Sequence, residues 1–198
     1  LTKFINGASD AVGGVVCADE EFITAMLDVN NGAGMLLGPV MDPIRAASIL
    51  KNMRTLHIRM KQHSFNAKFI SEHFSEEGIK VYYPGIKSHP QFSLMNNIYN
   101  EEFGYGGMLI LDLKSKDRAY AFMEAMQNDN IGYLAVSLGF YKTLFSAPGS
   151  STSSEIPEEE QVQMGLSEGM VRISIGIDND INRTFEKMKT CMKNVGIF

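Results

Sequence analysis

Cysteine is scarce in this sequence: Cys17 and Cys191 are the only two among 198 residues. A disulfide framework needs several pairs, and a cysteine metal site needs closely spaced ligands, so two cysteines this far apart favour neither. We therefore predict that both side chains are buried free thiols in a reducing cytosol and that the protein holds no metal.

Long apolar runs and basic runs are absent as well. No stretch is long enough to cross a bilayer and none resembles a signal peptide, so we expect a soluble, cytoplasmic protein with no membrane partner. The formal net charge is −5 and the pI is near 5.4, which gives no general attraction for nucleic acid. Small metabolites are the partners that this composition favours.

The length and composition suit a folded domain. With 44% hydrophobic and 21% charged residues, the chain fits one globular domain or one domain with part of another. After residue 78, short apolar runs alternate with helical patterns, which predicts an α+β unit whose sheet is covered on one side. The predicted strands are 79–83, 107–113, 132–138 and 170–177, the predicted helices 89–97, 116–126, 158–164 and 180–194, and the predicted loops 140–145 and 146–154.

Before residue 78 the sequence predicts mainly helix, with a short one over 19–27 and a loop over 30–34. Asp42 and Pro43 form a strong helix start, because a carboxylate caps the first turn and proline fits the first helical position. Apolar residues then recur three or four apart until Gly78 supplies a stop, which predicts one long or kinked helix. Its charges could form a nucleic-acid stripe, but in an acidic protein we interpret them as a solvated face. They are Arg45, Lys51, Arg54, Arg59, Lys61 and Lys68.

Lys3 is a candidate for covalent chemistry. It follows a hydroxyl residue, Thr2, and precedes a polar turn punctuated by glycine. A lysine amine can condense with an aldehyde to give a Schiff base, and a threonine hydroxyl can bind a phosphate oxygen. A lysine before a loop is also commonly just a solvated charge, so this pattern alone leaves both interpretations open.

The segment around Lys3 resembles the lysine segment of the Cys/Met-metabolism family of pyridoxal-phosphate enzymes. In that family the pattern reads Ser-x-Thr-Lys-aromatic, followed by Gly-His-(Ser/Gly)-Asp. The matching residues here are Thr2, Lys3, Phe4, Gly7, Ser9 and Asp10. Two positions depart from it, since the serine would precede Leu1 and Ala8 replaces the histidine. The resemblance implies that Lys3 carries pyridoxal 5'-phosphate and that Thr2 helps to hold its phosphate.

Further segments extend the resemblance to the rest of the chain. Residues 55–60 resemble a Thr-Leu-x-x-Arg-Met segment, residues 82–91 a Tyr-Pro-Gly segment that ends in Pro-Gln, and residues 106–108 match Gly-Gly-Met. The implied fold is α/β to α+β, the C-terminal part of a fold-type I PLP-dependent transferase. Residues 1–56 would be the tail of the large cofactor domain with the start of the linking helix, and residues 57–198 a smaller C-terminal α+β domain.

The family keeps its lysine motif near the middle of the chain, whereas this sequence opens on it and has no initiator methionine. We therefore expect a C-terminal portion of a protein about twice as long, or the only part of such a protein that the structure contains. The family's ring-stacking tyrosine, its aspartate at the pyridinium nitrogen and its remaining phosphate ligands lie upstream. The alternative function of a different class is therefore a polypeptide without catalytic activity, in which the site around Lys3 is incomplete.

Arg172 is the candidate for binding a substrate carboxylate. A guanidinium can hold a carboxylate by two parallel hydrogen bonds, but an arginine on a strand is more often a surface residue. Residues 169–178 resemble the family's Gly-Leu-Val-Arg-Leu-Ser-Val-Gly motif, whose arginine binds the substrate carboxylate. The resemblance likewise implies that Ser137, in a Ser-Leu-Gly segment, assists Arg172. It also implies that Thr152 binds substrate, because Thr152 lies in the equivalent of the family's Thr-His loop, although Ser153 replaces the histidine.

Val136 bears on the identity of the substrate. The residue before the serine is commonly glutamate in the family members that form or cleave cystathionine, whereas the methionine γ-lyases have valine there. An apolar wall suits a thiomethyl group better than the distal ammonium of cystathionine, which would lose its hydration without gaining a partner. Residues 140–145 depart from the family's pattern and leave the substrate open.

The function that the resemblance implies is a PLP-dependent carbon–sulfur lyase. It would carry out γ-elimination of methionine, releasing methanethiol, 2-oxobutyrate and ammonia. Cystathionine γ-lyase, cystathionine γ-synthase and O-acylhomoserine sulfhydrylase are the alternatives within the family. The expected partners are a small sulfur-containing amino acid and further copies of the chain, in a homodimer or homotetramer, and this chain alone is expected to be inactive.

Overall fold

The computed structural model describes residues 1–151 and 153–198. In this part of the chain the helices are α1 (Glu20–Met26), α2 (Ala33–Leu37), α3 (Pro43–Met53), α4 (Leu56–Glu76), α5 (Phe92–Ile98), α6 (Lys116–Asn128), α7 (Glu158–Gln163) and α8 (Ile181–Asn194). The strands are β1 (Lys80–Tyr82), β2 (Met108–Asp112), β3 (Gly132–Leu134), β4 (Thr143–Ser146) and β5 (Met170–Ser174), and a 3-10 turn covers Pro148–Ser150. The predicted alternation of strands and helices beyond residue 78 is confirmed.

The predicted helix start at Asp42 is confirmed, but the long helix is interrupted. The Asp42 side chain accepts a hydrogen bond from the Arg45 N–H, which satisfies one of the free donors of the first turn. The interruption falls between α3 and α4, where the Asn52 carbonyl accepts hydrogen bonds from the Thr55 hydroxyl and the Arg59 guanidinium. These two side chains therefore donate hydrogen bonds to a carbonyl that in a continuous helix would accept only from the backbone.

The strands form one sheet in the order β1-β2-β5-β4-β3, in which only the pair β3 and β4 is parallel. Leu109 pairs with Ile173 and Leu111 with Val171, so these four buried side chains share one face. Arg172 lies between Ile110 and Ser146 on the opposite face. One face of the sheet therefore packs against the core, and the other carries polar side chains that include Arg172 and Ser146.

The hydrophobic core lies between the apolar face of the sheet and three helices. It contains Ala67, Ile70 and Phe74 of α4, Phe122 and Met126 of α6, and Phe185, Met188 and Met192 of α8. These residues recur at helical spacing, so each helix turns one apolar stripe toward the sheet. The predicted α+β unit is confirmed, but its sheet is not covered on one side alone, because Leu144, Ser146, Met170 and Ser174 on the face opposite the core are also buried.

Two sequence predictions about the loops were wrong. Residues 143–146, predicted as loop, form the buried strand β4, because all four side chains are covered and no alternation of polar and apolar residues marks the strand. The loop predicted over residues 30–34 ends at Gly32, which precedes α2. Strand β3 ends at Leu134, before Ser137, which the predicted strand over residues 132–138 included.

The two cysteines lie in different environments. Cys191 is buried in α8, as predicted, whereas Cys17 is exposed, because the residues around it run over the surface. Among the residues that the structure describes, no group of three or more His, Cys, Asp and Glu side chains could hold a metal ion. Within the same residues, no helix has both the length and the apolar character needed to span a membrane.

Candidate active site

Lys3 lies on a tight turn at the start of the chain. The Gly7 N–H donates to the Lys3 carbonyl at 2.7 Å, and the Asn6 N–H donates to the Leu1 carbonyl at 3.0 Å. The Lys3 side chain is exposed, and its Nζ donates to Ser137 Oγ at 2.9 Å. None of the ion pairs among the described residues includes Lys3, so its amine faces a neutral hydroxyl.

A close backbone contact brings Ser137 to Lys3. Gly139 has a φ of 74°, and a Cβ at this position would overlap the Phe4 backbone, so only glycine fits. The Gly139 N–H donates to Ser174 Oγ at 2.9 Å, and the Tyr141 N–H donates to the Gly7 carbonyl at 3.2 Å. The loop that carries Ser137 is therefore fastened both to the lysine turn and to β5.

Arg172 reaches the same loop from β5. Its Nη2 donates to the Ser137 carbonyl at 3.2 Å, and no other side-chain hydrogen bond of Arg172 occurs among the described residues. Partial burial lowers its pKa, but an arginine still keeps its charge at any physiological pH. The remaining N–H groups of the guanidinium are thus available to a carboxylate.

Lys3 and Arg172 therefore converge on Ser137, one through the side chain and the other through the backbone. The adjacent side chain, Val136, is 60% exposed and offers an apolar surface next to this pair. An amine, a hydroxyl and a guanidinium brought together in this way can bind an amino acid by its carboxylate and exchange protons with it.

Thr2 is engaged by its own loop. Its hydroxyl donates to the Gly13 carbonyl at 3.2 Å and accepts a hydrogen bond from the Gly13 N–H at 3.0 Å. To donate to a phosphate oxygen, the hydroxyl has to give up its bond to the Gly13 carbonyl. Thr2 as a phosphate ligand stays a prediction, and Thr152 lies outside the described residues.

One sequence interpretation was wrong at this site. The sequence predicts a solvated charged face that includes Arg59, but Arg59 is only 9% exposed and its guanidinium donates to the carbonyls of Phe4 and Ile5 at 2.6 and 2.9 Å. The signal was present in the spacing, because Arg59 and His63 fall on the stripe that continues into Ala67 and Ile70, the buried face of α4. The interpretation failed because charge was given more weight than position.

His63 also contacts the lysine turn and was not singled out. Its ring packs edge-on against Phe4, with the ring centroids 5.1 Å apart, and its Nδ1 lies 2.6 Å from the Ile175 carbonyl. Because a carbonyl only accepts, Nδ1 carries the proton. Burial lowers the pKa of His63, so the ring is neutral at physiological pH. Helix α4 thereby joins the lysine turn to the end of β5.

The arrangement can accommodate pyridoxal phosphate through Lys3. An exposed primary amine next to a hydroxyl is the group with which the aldehyde of this cofactor reacts. Lys3 and Arg172 both bind Ser137, whereas the Thr2 hydroxyl binds only Gly13 among the described residues, and the roles of all three in such a site stay predictions.

Comparison with known proteins places these features in a family context. A family model described as Cys/Met metabolism PLP-dependent enzyme matches residues 1–189. A methionine gamma-lyase of Arabidopsis thaliana is 40% identical over 177 residues, which cover 89% of this chain and 40% of that protein. A cystathionine gamma-lyase of Dictyostelium discoideum is 35% identical over 187 residues, covering 92% of this chain and 45% of that protein.

Solved structures agree with these matches. The crystal structure of cystathionine gamma-lyase from yeast superposes with a TM-score of 0.87 at 29% identity, and the match covers 98% of this chain and 48% of that one. The chain therefore spans less than half the length of these relatives. In each case the similarity extends over most of the chain, and the family model covers both the lysine turn and the arginine strand.

Proposed function

The chain belongs to the Cys/Met metabolism family of PLP-dependent enzymes, and we propose that the complete protein is a carbon–sulfur lyase acting on sulfur amino acids. The observation that carries this proposal is the convergence of Lys3 Nζ and Arg172 Nη2 on Ser137, at 2.9 and 3.2 Å. Such a pair provides an amine for the cofactor and a cation for the substrate on adjacent surface. Because the chain spans less than half the length of its relatives, the activity is assigned to the complete protein.

Lys3 has two roles in this proposal. Its amine holds pyridoxal phosphate, which when bound draws electrons away from the substrate carbons. The Lys3 amine would accept a proton from the α-carbon of the substrate and would return a proton further along the substrate side chain. The hydrogen bond to Ser137 Oγ directs the amine toward the loop where the substrate binds.

Arg172 and Ser137 orient the substrate. The guanidinium binds the carboxylate in a two-pronged, charge-assisted contact, and partial burial strengthens that contact by excluding water. The bond from Nη2 to the Ser137 carbonyl fixes the plane of the guanidinium. A carboxylate held at this point keeps the α-carbon within reach of Lys3.

We further propose that the preferred reaction is γ-elimination of methionine, with methanethiol, 2-oxobutyrate and ammonia as products. Val136, exposed next to Ser137, offers apolar contact to a thiomethyl group and no counterion for a distal ammonium. The 40% identical relative from Arabidopsis thaliana is a methionine gamma-lyase.

The test is a steady-state comparison of methionine, cystathionine and O-acetylhomoserine with the complete protein. We expect methionine to have the highest kcat/KM and to yield thiol and 2-oxobutyrate in equal amounts. A preference for cystathionine would move the assignment to a cystathionine lyase, and a Val136→Glu variant should shift the preference in that direction. Absence of turnover with all three would refute the lyase proposal.

The proposal extends to assembly and to the chain by itself. We propose that the complete protein is a homodimer or homotetramer, which light scattering measures directly, and an active monomer would contradict this. This chain expressed alone should be colourless and inactive, because most of the cofactor site is expected upstream. A yellow, active preparation of this length would overturn that expectation.

A further inference from the structure

Arg59 makes an unusual set of contacts for a cation. It lies on α4, is 9% exposed, and its guanidinium donates to the carbonyls of Phe4, Ile5 and Asn52 at 2.6, 2.9 and 3.2 Å. Its Nε donates to the Thr55 hydroxyl at 3.0 Å. Two of these four acceptors belong to the two residues that directly follow Lys3.

No carboxylate balances this charge. Among the described residues, none of the ion pairs includes Arg59, and burial lowers its pKa accordingly. Taking a cation out of water without a counterion is costly, and carbonyl groups compensate only when they are held in place. An apolar residue would fill the same space without that cost. Packing alone therefore does not explain why a guanidinium with several N–H donors occupies this position.

The turn is shaped around the guanidinium. Gly7 has a φ of 71°, and a Cβ at this position would overlap Arg59 Nη1, so the turn closes only because this residue is glycine. Phe4, whose carbonyl Arg59 holds, also lies against Gly139 of the loop that carries Ser137. Moving Phe4 would therefore move the Lys3 backbone and the Ser137 loop together.

We propose that Arg59 is a positioning residue for Lys3, which fixes the carbonyls of Phe4 and Ile5 so that the Lys3 amine points at Ser137. This inference rests on the proposed function, because it assigns a purpose to the direction of that amine. Misplacing a reactive group by about 1 Å can cost about a hundredfold in rate. Arg59 thus acts through Lys3 and touches neither substrate nor cofactor.

The experiment compares Arg59→Ala, Arg59→Lys and the control Arg54→Ala in the complete protein. Arg54 is an exposed arginine five residues earlier, so the control removes the same charge from the surface. Two quantities are measured: kcat and KM for methionine, and the rate at which added pyridoxal phosphate becomes attached to Lys3 on reduction with borohydride, read by peptide mass spectrometry.

We expect Arg59→Ala to lower kcat at least about tenfold with a much smaller change in KM, and to slow attachment at Lys3. Arg59→Lys should be intermediate, since an ammonium cannot span all four acceptors. Added guanidinium at a non-denaturing concentration should partly restore Arg59→Ala, whereas equal sodium chloride should not. Arg54→Ala should match the wild type in both measurements.

Wild-type kcat and wild-type attachment in Arg59→Ala would overturn the inference even if its melting temperature fell, because Arg59 would then only stabilise the turn. If Arg59→Ala does not fold, the same two readouts in Arg59→Lys decide, and wild-type values there overturn it equally. If the wild type turns over no substrate, the proposed function has failed, and the attachment rate at Lys3 alone decides the role of Arg59.

Discussion

Residues 1–58 and residues 59–198 are held in place by different forces. In the second region α4, α6, α8 and the sheet enclose one continuous core of buried side chains. In the first, all of which the structure describes, Ala11 and Ile49 are the only buried apolar residues. Large exposed apolar side chains are frequent there, among them Val12, Leu37, Val40, Ile44 and Leu50.

The first region depends instead on polar contacts made by a few side chains. Arg59 holds the lysine turn from α4, and Asn52 of α3 donates to Asn6 at 2.8 Å. Hydrogen bonds are directional and individually contribute about 0.5–1.5 kcal/mol, whereas burial of a large side chain contributes about 1.5–3 kcal/mol. The core therefore supplies most of the stability of the molecule, whereas the polar contacts of Arg59 and Asn52 hold the turn that carries Lys3.

The largest effect on function should come from the first region, at Lys3. Lys3→Ala in the complete protein should remove the visible absorption of the bound cofactor and lower turnover by at least about a thousandfold, because no neighbouring side chain replaces the amine. The melting temperature should stay near that of the apoprotein, since the side chain is exposed. Lys87→Ala, at another exposed lysine, is the control, and retained cofactor absorption in Lys3→Ala would refute the assignment.

The largest effect on stability should come from the second region. Phe74→Ala removes a fully buried ring from the core and should lower the free energy of unfolding by about 3–5 kcal/mol. Leu37→Ala removes an 81% exposed side chain from the first region and should change it by less than about 0.5 kcal/mol. Urea unfolding of the chain measures both, and similar losses in the two variants would show that the regions are not held differently.

Arg172 connects the two regions through Ser137, because it belongs to the core sheet and binds the same residue that Lys3 binds. Each charged hydrogen bond contributes about 1.5–3 kcal/mol, so Arg172→Ala should lower kcat/KM by at least about a hundredfold. Arg172→Lys keeps the charge but loses the fork and should recover only part of this. Cofactor binding should barely change, and near-normal kcat/KM in Arg172→Ala for every amino acid tested would make this arginine purely structural.

Much of the second region could be predicted from the sequence. Its strands and helices carry apolar residues at spacings of two and of three to four, and caps such as Ser115 and Asp180 mark where α6 and α8 begin. Strand β4 was not predicted because all four of its side chains are buried, so polar and apolar residues do not alternate along it. Its partner β3 directly precedes it but pairs in parallel, so no hairpin turn marks the pair, and its other partner, β5, begins only at Met170.

The site was only partly predictable. Motif resemblance supplied Lys3, Ser137 and Arg172, and the structure brings these three together. The contacts of Arg59 could not be predicted from composition, because they depend on how α4 lies against a turn more than fifty residues away. The proposed domain boundary after residue 56 stays a prediction, although it lies close to the point where the core begins.

The smallest predicted effect concerns the hydrogen bonds that join Asn6, Asp10 and Asn52. The pKa of the Asp10 carboxyl lies below its ordinary value of 3.8, chiefly because the Asn6 amide donates to it at 2.8 Å, with smaller help from Asn52 and from the charge of Lys51. Because the folded pKa is the lower one, Asp10 stabilises the fold at every pH above 3.8 and loses that contribution as the pH falls through the folded value.

In Asn6→Ala the pKa of Asp10 should therefore rise toward 3.8, which NMR titration of the side-chain carboxyl measures directly. Asn52→Ala is the matched comparison and should raise it less, because the Asn52 amide lies 3.5 Å from the same oxygen. An Asp10 pKa that is unchanged in Asn6→Ala would mean that the hydrogen bond from Asn6 does not stabilise the Asp10 carboxylate. The lysine turn would then depend on its other polar contacts, chiefly those of Arg59 with the carbonyls of Phe4 and Ile5.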